Sequence, residues 1–188
     1  NIALIIPRIA LFFPTKGINF RCAPENVNGL IFAGIDIVSL ANNHVMDYGV
    51  TAMTETKTIL DMAGILHSGA GLNSYQAYLP TIKSIKGKTI SFISSSDRTG
   101  QYNNYQPYLN SGENKPGFAY LTPYYIKQQI EAVKDFTDYI IVEMHAGSEY
   151  SYSPGSNYDN YDITPEEKDF LESVDRDNND YSIELFVD

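Results

Sequence analysis

The stretch Asp36-Ile37-Val38-Ser39-Leu40-Ala41-Asn42-Asn43-His44 decides how this chain is read. Residues 35–40 form a short β-branched run with no polar face, as expected of a strand covered on both sides. A polar cluster, Ala41-Asn42-Asn43-His44, follows at once at the strand's carboxyl end. In α/β sheets that edge is where sites are built. An amide oxygen and an imidazole presented side by side there could serve a metal and a proton transfer respectively. Asp47, three residues on, is close enough to orient His44 and raise its basicity. As a bare pattern Asn-Asn-His is short, and a structural turn is an equally good reading of it.

Working outward, residues 51–63 carry Met53, Ile59, Leu60 and Met62 and stop at Gly64, which predicts a helix. Upstream, residues 24–32 place Pro at a first helical turn, with Val27, Leu30 and Ile31 following, and suit a short helix ending at Gly34. Residues 2–13 read as an edge strand interrupted by Pro7. Downstream, residues 81–85 and 89–94 flank Lys86-Gly87-Lys88 as a hairpin. Residues 95–121, rich in Tyr, Asn, Gly and Pro, read as a long surface excursion. Ile126, Ile130 and Val133 then mark a helix over 123–136, and residues 139–144 a strand with His145 at its carboxyl end. Strand, polar cluster, helix, hairpin, helix, strand and polar cluster in that order predict a layered α/β fold.

Size and charge narrow the functions. The 188 residues support one domain with a real core, and 43% hydrophobic with 19% charged residues is ordinary for a globular protein. A formal net charge of −10, with the thirteen Lys and Arg scattered, argues against nucleic acid and against an anionic membrane surface. It would also repel an acidic polymer at long range. Cys22 is the single cysteine, so no intrachain disulfide forms, and it reads as a small buried hydrophobe. The apolar run 1–13 is too short to cross a bilayer, which takes about 20 residues, and no transmembrane segment or signal peptide is read in this sequence.

A longer set of segments resembles one family. Phe20-Arg21-Cys22-Ala23-Pro24-Glu25, Ala33-Gly34-Ile35-Asp36, the Ser-Leu-Ala-Asn-Asn-His core, Asp47-Tyr48-Gly49, and Ala63-Gly64-Ile65 with Gly69-Ala70-Gly71-Leu72-Asn73 resemble, in order, segments of the poly-γ-glutamate capsule synthesis proteins of the CapA family. Ala77, Pro80, Gly87 and Pro116-Gly117-Phe118 continue the match, and Ile141-Val142-Glu143-Met144-His145-Ala146-Gly147-Ser148-Glu149-Tyr150 is similar to a second family signature, with Ala146 where the family usually has Trp. The resemblance covers roughly 20–154 of a single domain spanning 1–188.

That resemblance implies a metallophosphoesterase-like α/β/β/α sandwich and a divalent metal, manganese, zinc or iron. On that analogy Asn43 and His145 are metal ligands, His44 a proton donor or charge stabiliser, and Asp47 its orienting partner. The site would be incomplete. A Gly-Asp segment with an early Glu near the family's start and a Gly-His-His-Pro-His segment near its end are not found in this sequence. Residues 181–188 are similar to a strand the family places after those histidines, so an intervening piece is expected to be missing around 174–180. The implied function is capsule or poly-γ-glutamate biosynthesis, as a metal-dependent hydrolase or transferase acting on an extracellular anionic polymer, outside the cell or membrane-anchored at its surface. The alternative is a non-catalytic scaffold or binding subunit that engages membrane-bound polymer synthase subunits.

Weaker candidates complete the reading. His67 and Glu149 are assigned to substrate, with a structural histidine and a surface carboxylate as the plainer readings, and Glu143 to a supporting role behind the ligands. Gly69-Ala70-Gly71 could bring amides to an anion, but a tight turn is favoured two to one. Asp175, Asp177 and Asn179 alternate as in a calcium loop, yet Asp180 stands where that loop needs Gly.

Overall fold

The computed structural model describes residues 19–97 and 109–146. The expectations for residues 2–13, for the tail beyond 150, for the calcium-like alternation and for Glu149 lie outside the described residues.

The α/β class expected from the sequence is what the structure has. A 3₁₀ turn, Pro24–Asn26, runs into α1 (Val27–Phe32), and Gly34, at φ +70°, ends it. Strand β1 (Ile37–Ser39) is shorter than the β-branched run suggests and pairs in parallel with β2 (Leu66–Ser68). Between them α2 (Gly49–Met62) makes the crossover. Its buried residues are Ala52, Met53, Thr56 and Leu60, a stripe at helical spacing, whereas Met62 is outward and exposed. Gly64, at φ +71°, closes the helix.

The hairpin forms as expected, with β4 (Thr81–Ile85) antiparallel to β5 (Lys88–Ser96). Both turn residues have positive φ, Lys86 at 51° and Gly87 at 77°, the left-handed pair whose twist suits a two-residue hairpin. Strand β7 (Tyr139–His145) then adds in parallel to β5, its register running from Ile90 opposite Tyr139 to Ser96 opposite His145. The crossover carries α4 (Pro123–Val133), capped by Thr122, whose hydroxyl accepts from the Tyr125 amide. This helix ends three residues before the expected Phe136. Its most buried positions are Val133 and Gln129, with Gln129 Nε2 donating to the Tyr78 carbonyl.

Two expectations are corrected. Gly69-Ala70-Gly71 is not a tight turn: Gly69 is a bend after β2, and Ala70–Gly71 is a strand, β3, paired antiparallel with β6 (Gly117–Phe118). A four-residue helix, α3 (Ser74–Ala77), follows it, capped by the Asn73 side chain. And the end of the expected surface excursion is interior, because Leu109, Phe118 and Ala119 are buried. Leu109 and Phe118 close the main cluster with Val38, Leu40, Val45, Met53, Leu60 and Ile65. Each such side chain removed from water contributes about 1.5–3 kcal/mol. Cys22 packs half-buried against this cluster, and burial pushes its thiol pKa up.

Candidate functional site

Beyond β1 the chain turns tightly, and the cause is local. Asn42 is buried and its Oδ1 accepts from the His44 amide at 2.9 Å, the side chain imitating a backbone turn. Val45 and Met46 are buried just beyond, whereas Asn43 and His44 between these anchors are only half-buried. The turn thus fixes the backbone and leaves the Asn43 and His44 side chains partly accessible. A further turn, Asp47 amide to His44 carbonyl at 3.1 Å, returns the chain into α2.

Two pairs arise from this geometry. In the first, His44 Nδ1 lies 2.8 Å from Asp47 Oδ2. Asp47 is fully buried, and the same oxygen accepts the Phe20 amide hydrogen at 2.7 Å. The Phe20 ring also meets the His44 imidazole edge to face, with centroids 4.4 Å apart. With Nδ1–H donated to the carboxylate, the neutral imidazole carries its lone pair on Nε2. In the second pair, Asn43 Oδ1 and His145 Nε2 lie 3.2 Å apart although 102 residues separate them. The parallel β5–β7 register puts His145 at the strand end beside Ser96, and the Asp97 amide donates to the His145 carbonyl.

The second pair fits one edge of a divalent-metal site. Two ligands each about 2.0–2.2 Å from a shared cation, at ordinary coordination angles, stand about 3 Å apart, and an amide oxygen with an imidazole nitrogen is an acceptable donor set. Among the described residues, no three His, Cys, Asp or Glu side chains converge as a metal cluster.

The other candidates fall elsewhere. His67, in the middle of β2, has Nε2 3.1 Å from Asp61 Oδ1 at the end of α2, so its imidazole is engaged by the crossover helix. Burial, reinforced by the nearby Lys57 ammonium and only partly offset by Asp61, pushes its pKa down. Burial likewise lowers the pKa of Lys57, whose ammonium donates to the Ala70 carbonyl at 3.0 Å. Glu143 is an exposed residue of β7, two positions before His145. The residue to which sequence reasoning assigned no role is Phe20. It stands in the quoted segment Phe20-Arg21-Cys22, but nothing in an isolated Phe announces that its backbone amide will hold a carboxylate 27 positions away.

Fold and site together define an α/β protein with an amide–imidazole pair and a His–Asp pair gathered at strand ends. The family model described as "Bacterial capsule synthesis protein PGA_cap" matches residues 8–161. The chain belongs to that family. It is 28% identical over 144 residues to the PGA biosynthesis protein CapA of Bacillus subtilis, covering 74% of this chain and 35% of that protein. It is 25% identical to the capsule biosynthesis protein CapA of Bacillus anthracis, covering 74% and 33%. The chain therefore spans about a third of the length of these relatives. A "Probable polyglutamine synthesis accessory protein" of Mycobacterium tuberculosis is 26% identical over 168 residues, covering 81% of this chain and 42% of its own length.

Proposed function

We propose that this chain carries part of a divalent-metal site, and the neighbouring proton-handling pair, of a hydrolase or transferase that works on the anionic polymer of a bacterial capsule. The observation that carries this reading is the approach of Asn43 Oδ1 to His145 Nε2, beside an imidazole already held by a buried carboxylate. Asn43 and His145 would hold manganese, zinc or iron. When bound there, the cation supplies Lewis-acid polarisation of a substrate oxygen.

The chain's own residues do the rest. Asp47, anchored by the Phe20 amide, holds His44 with its lone pair on Nε2. His44 can then take a proton at Nε2 as a nucleophile attacks and return it to the departing group. The imidazolium formed in between is stabilised by the Asp47 carboxylate. Membership of the capsule synthesis family supports an anionic capsule polymer as the substrate class, and the "accessory" description of the mycobacterial relative supports work beside a polymer synthase.

The test is metal analysis of the dialysed protein and of its Asn43→Ala/His145→Ala variant. Manganese, zinc or iron bound by the parent and not by the variant is expected, together with loss of any polymer-cleaving activity in His44→Ala. Absence of metal from both would replace this reading with a non-catalytic binding subunit of the synthase.

A further inference from the structure

Between Ala41 and Ser94 the structure has no room for a side chain, and that place is Gly69. A Cβ at Gly69 would lie 2.6 Å from Ala41 Cβ, 2.9 Å from Ala41 N and 2.9 Å from Ser94 Cβ. Real Cβ atoms do not approach so closely, and Gly69 also has φ +91°, where only glycine is at ease. Ala41 stands two residues before Asn43. Ser94 belongs to β5, the strand that pairs with β7 and so carries His145 into place.

The polar contacts of Gly69 lead to the same two places. Its carbonyl accepts the Ala119 amide at 2.8 Å, the Ala119 carbonyl accepts the Ser96 amide at 2.9 Å, and Ser96 is the register partner of His145. On the other side the Ser68 carbonyl accepts the Leu40 amide at 2.9 Å, and the Ser68 and Ser94 hydroxyls meet at 2.7 Å. Gly69 thus lies against Ala41, two residues before Asn43, and one short hydrogen-bond chain away from the strand end bearing His145.

We infer that Gly69 is a positioning residue that sets the separation of Asn43 from His145, and so the cation affinity of the site. Its relevance to metal rests on the proposed function above, whereas its control of spacing does not. A methyl group at this position cannot be absorbed by a flexible side chain, because two of the three nearest atoms are Cβ atoms and the third is backbone. Either Ala41 or β5 must move, and each is tied to one member of the Asn43–His145 pair, so the spacing of the pair changes.

The experiment compares Gly69→Ala with Gly34→Ala in the full chain. Gly34 has φ +70°, and a Cβ on it would meet nothing within 4 Å, so its substitution imposes the left-handed strain without the collision. Manganese titration should show affinity about 10- to 100-fold weaker in Gly69→Ala and unchanged in Gly34→Ala. A second readout needs no metal: with Asn43→Cys and His145→Cys in a Cys22→Ser background, a short thiol crosslinker should join the pair about ten-fold more slowly when Gly69→Ala is added. Should the parent bind no manganese, the proposed function fails and the crosslinking comparison still judges Gly69. Should Gly69→Ala not fold, Gly69→Ala/Ala41→Gly, which lacks the nearest obstruction but keeps the collisions with the residue 41 backbone nitrogen and Ser94 Cβ, takes its place with smaller losses in the same direction. Unchanged crosslinking in a folded Gly69 variant, or failure of both variants to fold, would overturn the inference.

Discussion

At Asp47 two donors, the Phe20 amide and His44 Nδ1, converge on one carboxylate oxygen that has no exposure to solvent. A buried carboxylate is tolerated only when it is well hydrogen-bonded, and the converse holds for its donors once it is gone. Asp47→Ala should therefore destabilise the protein by about 2–4 kcal/mol, since each stranded donor costs about 1–3 kcal/mol and His44 is partly wet. Asp47→Asn keeps the shape and an acceptor for Phe20 but loses the charge that holds the imidazole, so it should cost about 1 kcal/mol while abolishing the proposed proton transfer at His44 as fully as Asp47→Ala does. Urea unfolding beside a polymer-cleavage assay separates the two effects. Equal stability losses for both variants would mean that Asp47 contributes charge alone. At this scale the sequence was informative about His44 and Asp47, because three residues of separation in a turn can hardly fail to bring them together. It was silent on Phe20, whose contribution is made by its backbone.

Elements carry a different kind of signal. The hairpin was legible because two β-branched runs flank a Gly-containing turn, and its geometry suggests an improvement. Lys86 holds φ 51° at the first turn position, where Asn is far more comfortable. Lys86→Asn should stabilise the protein by about 0.5–1 kcal/mol, seen as a higher urea midpoint. By contrast β6 and α3, of two and four residues, are too short for any periodicity to reveal, although Asn73 before Ser74 is a capping signal in retrospect. Met62 lies in the last turn of α2, where an apolar stripe can drift off the core face. His67 links α2 to β2 through Asp61, and burial holds its pKa below the ordinary value of about 6.5. The unfolded chain therefore binds this proton more readily than the folded one, so the contribution is complete above about pH 6.5 and is lost as pH falls through the lower folded value. Stability should drop between pH 7 and pH 5, and His67→Gln should flatten that part of the profile; an identical slope in the variant would remove His67 as its cause.

Over the whole molecule the dominant quantity is a net charge of −10. The Asn43–His145 approach could not be read from spacing, because it depends on the parallel pairing of β5 with β7 across a crossover; only the family resemblance assigned the two residues a common role. That charge also constrains how an anionic polymer could be engaged. Thirteen scattered basic residues against twenty-three acidic ones leave long-range repulsion in place, so attraction must be local, and the proposed cation at Asn43 and His145 is the means this site offers. Poly-γ-glutamate should therefore be retained by the full chain only with manganese present, and EDTA should release it. The Asn43→Ala/His145→Ala variant should not retain it under either condition. Added monovalent salt should leave retention unchanged or strengthen it, because screening removes more repulsion than attraction at separations beyond about 10 Å. Retention that survives EDTA and weakens steeply with salt would instead reveal a basic surface that binds the polymer by itself, and the cation would then have no part in holding it.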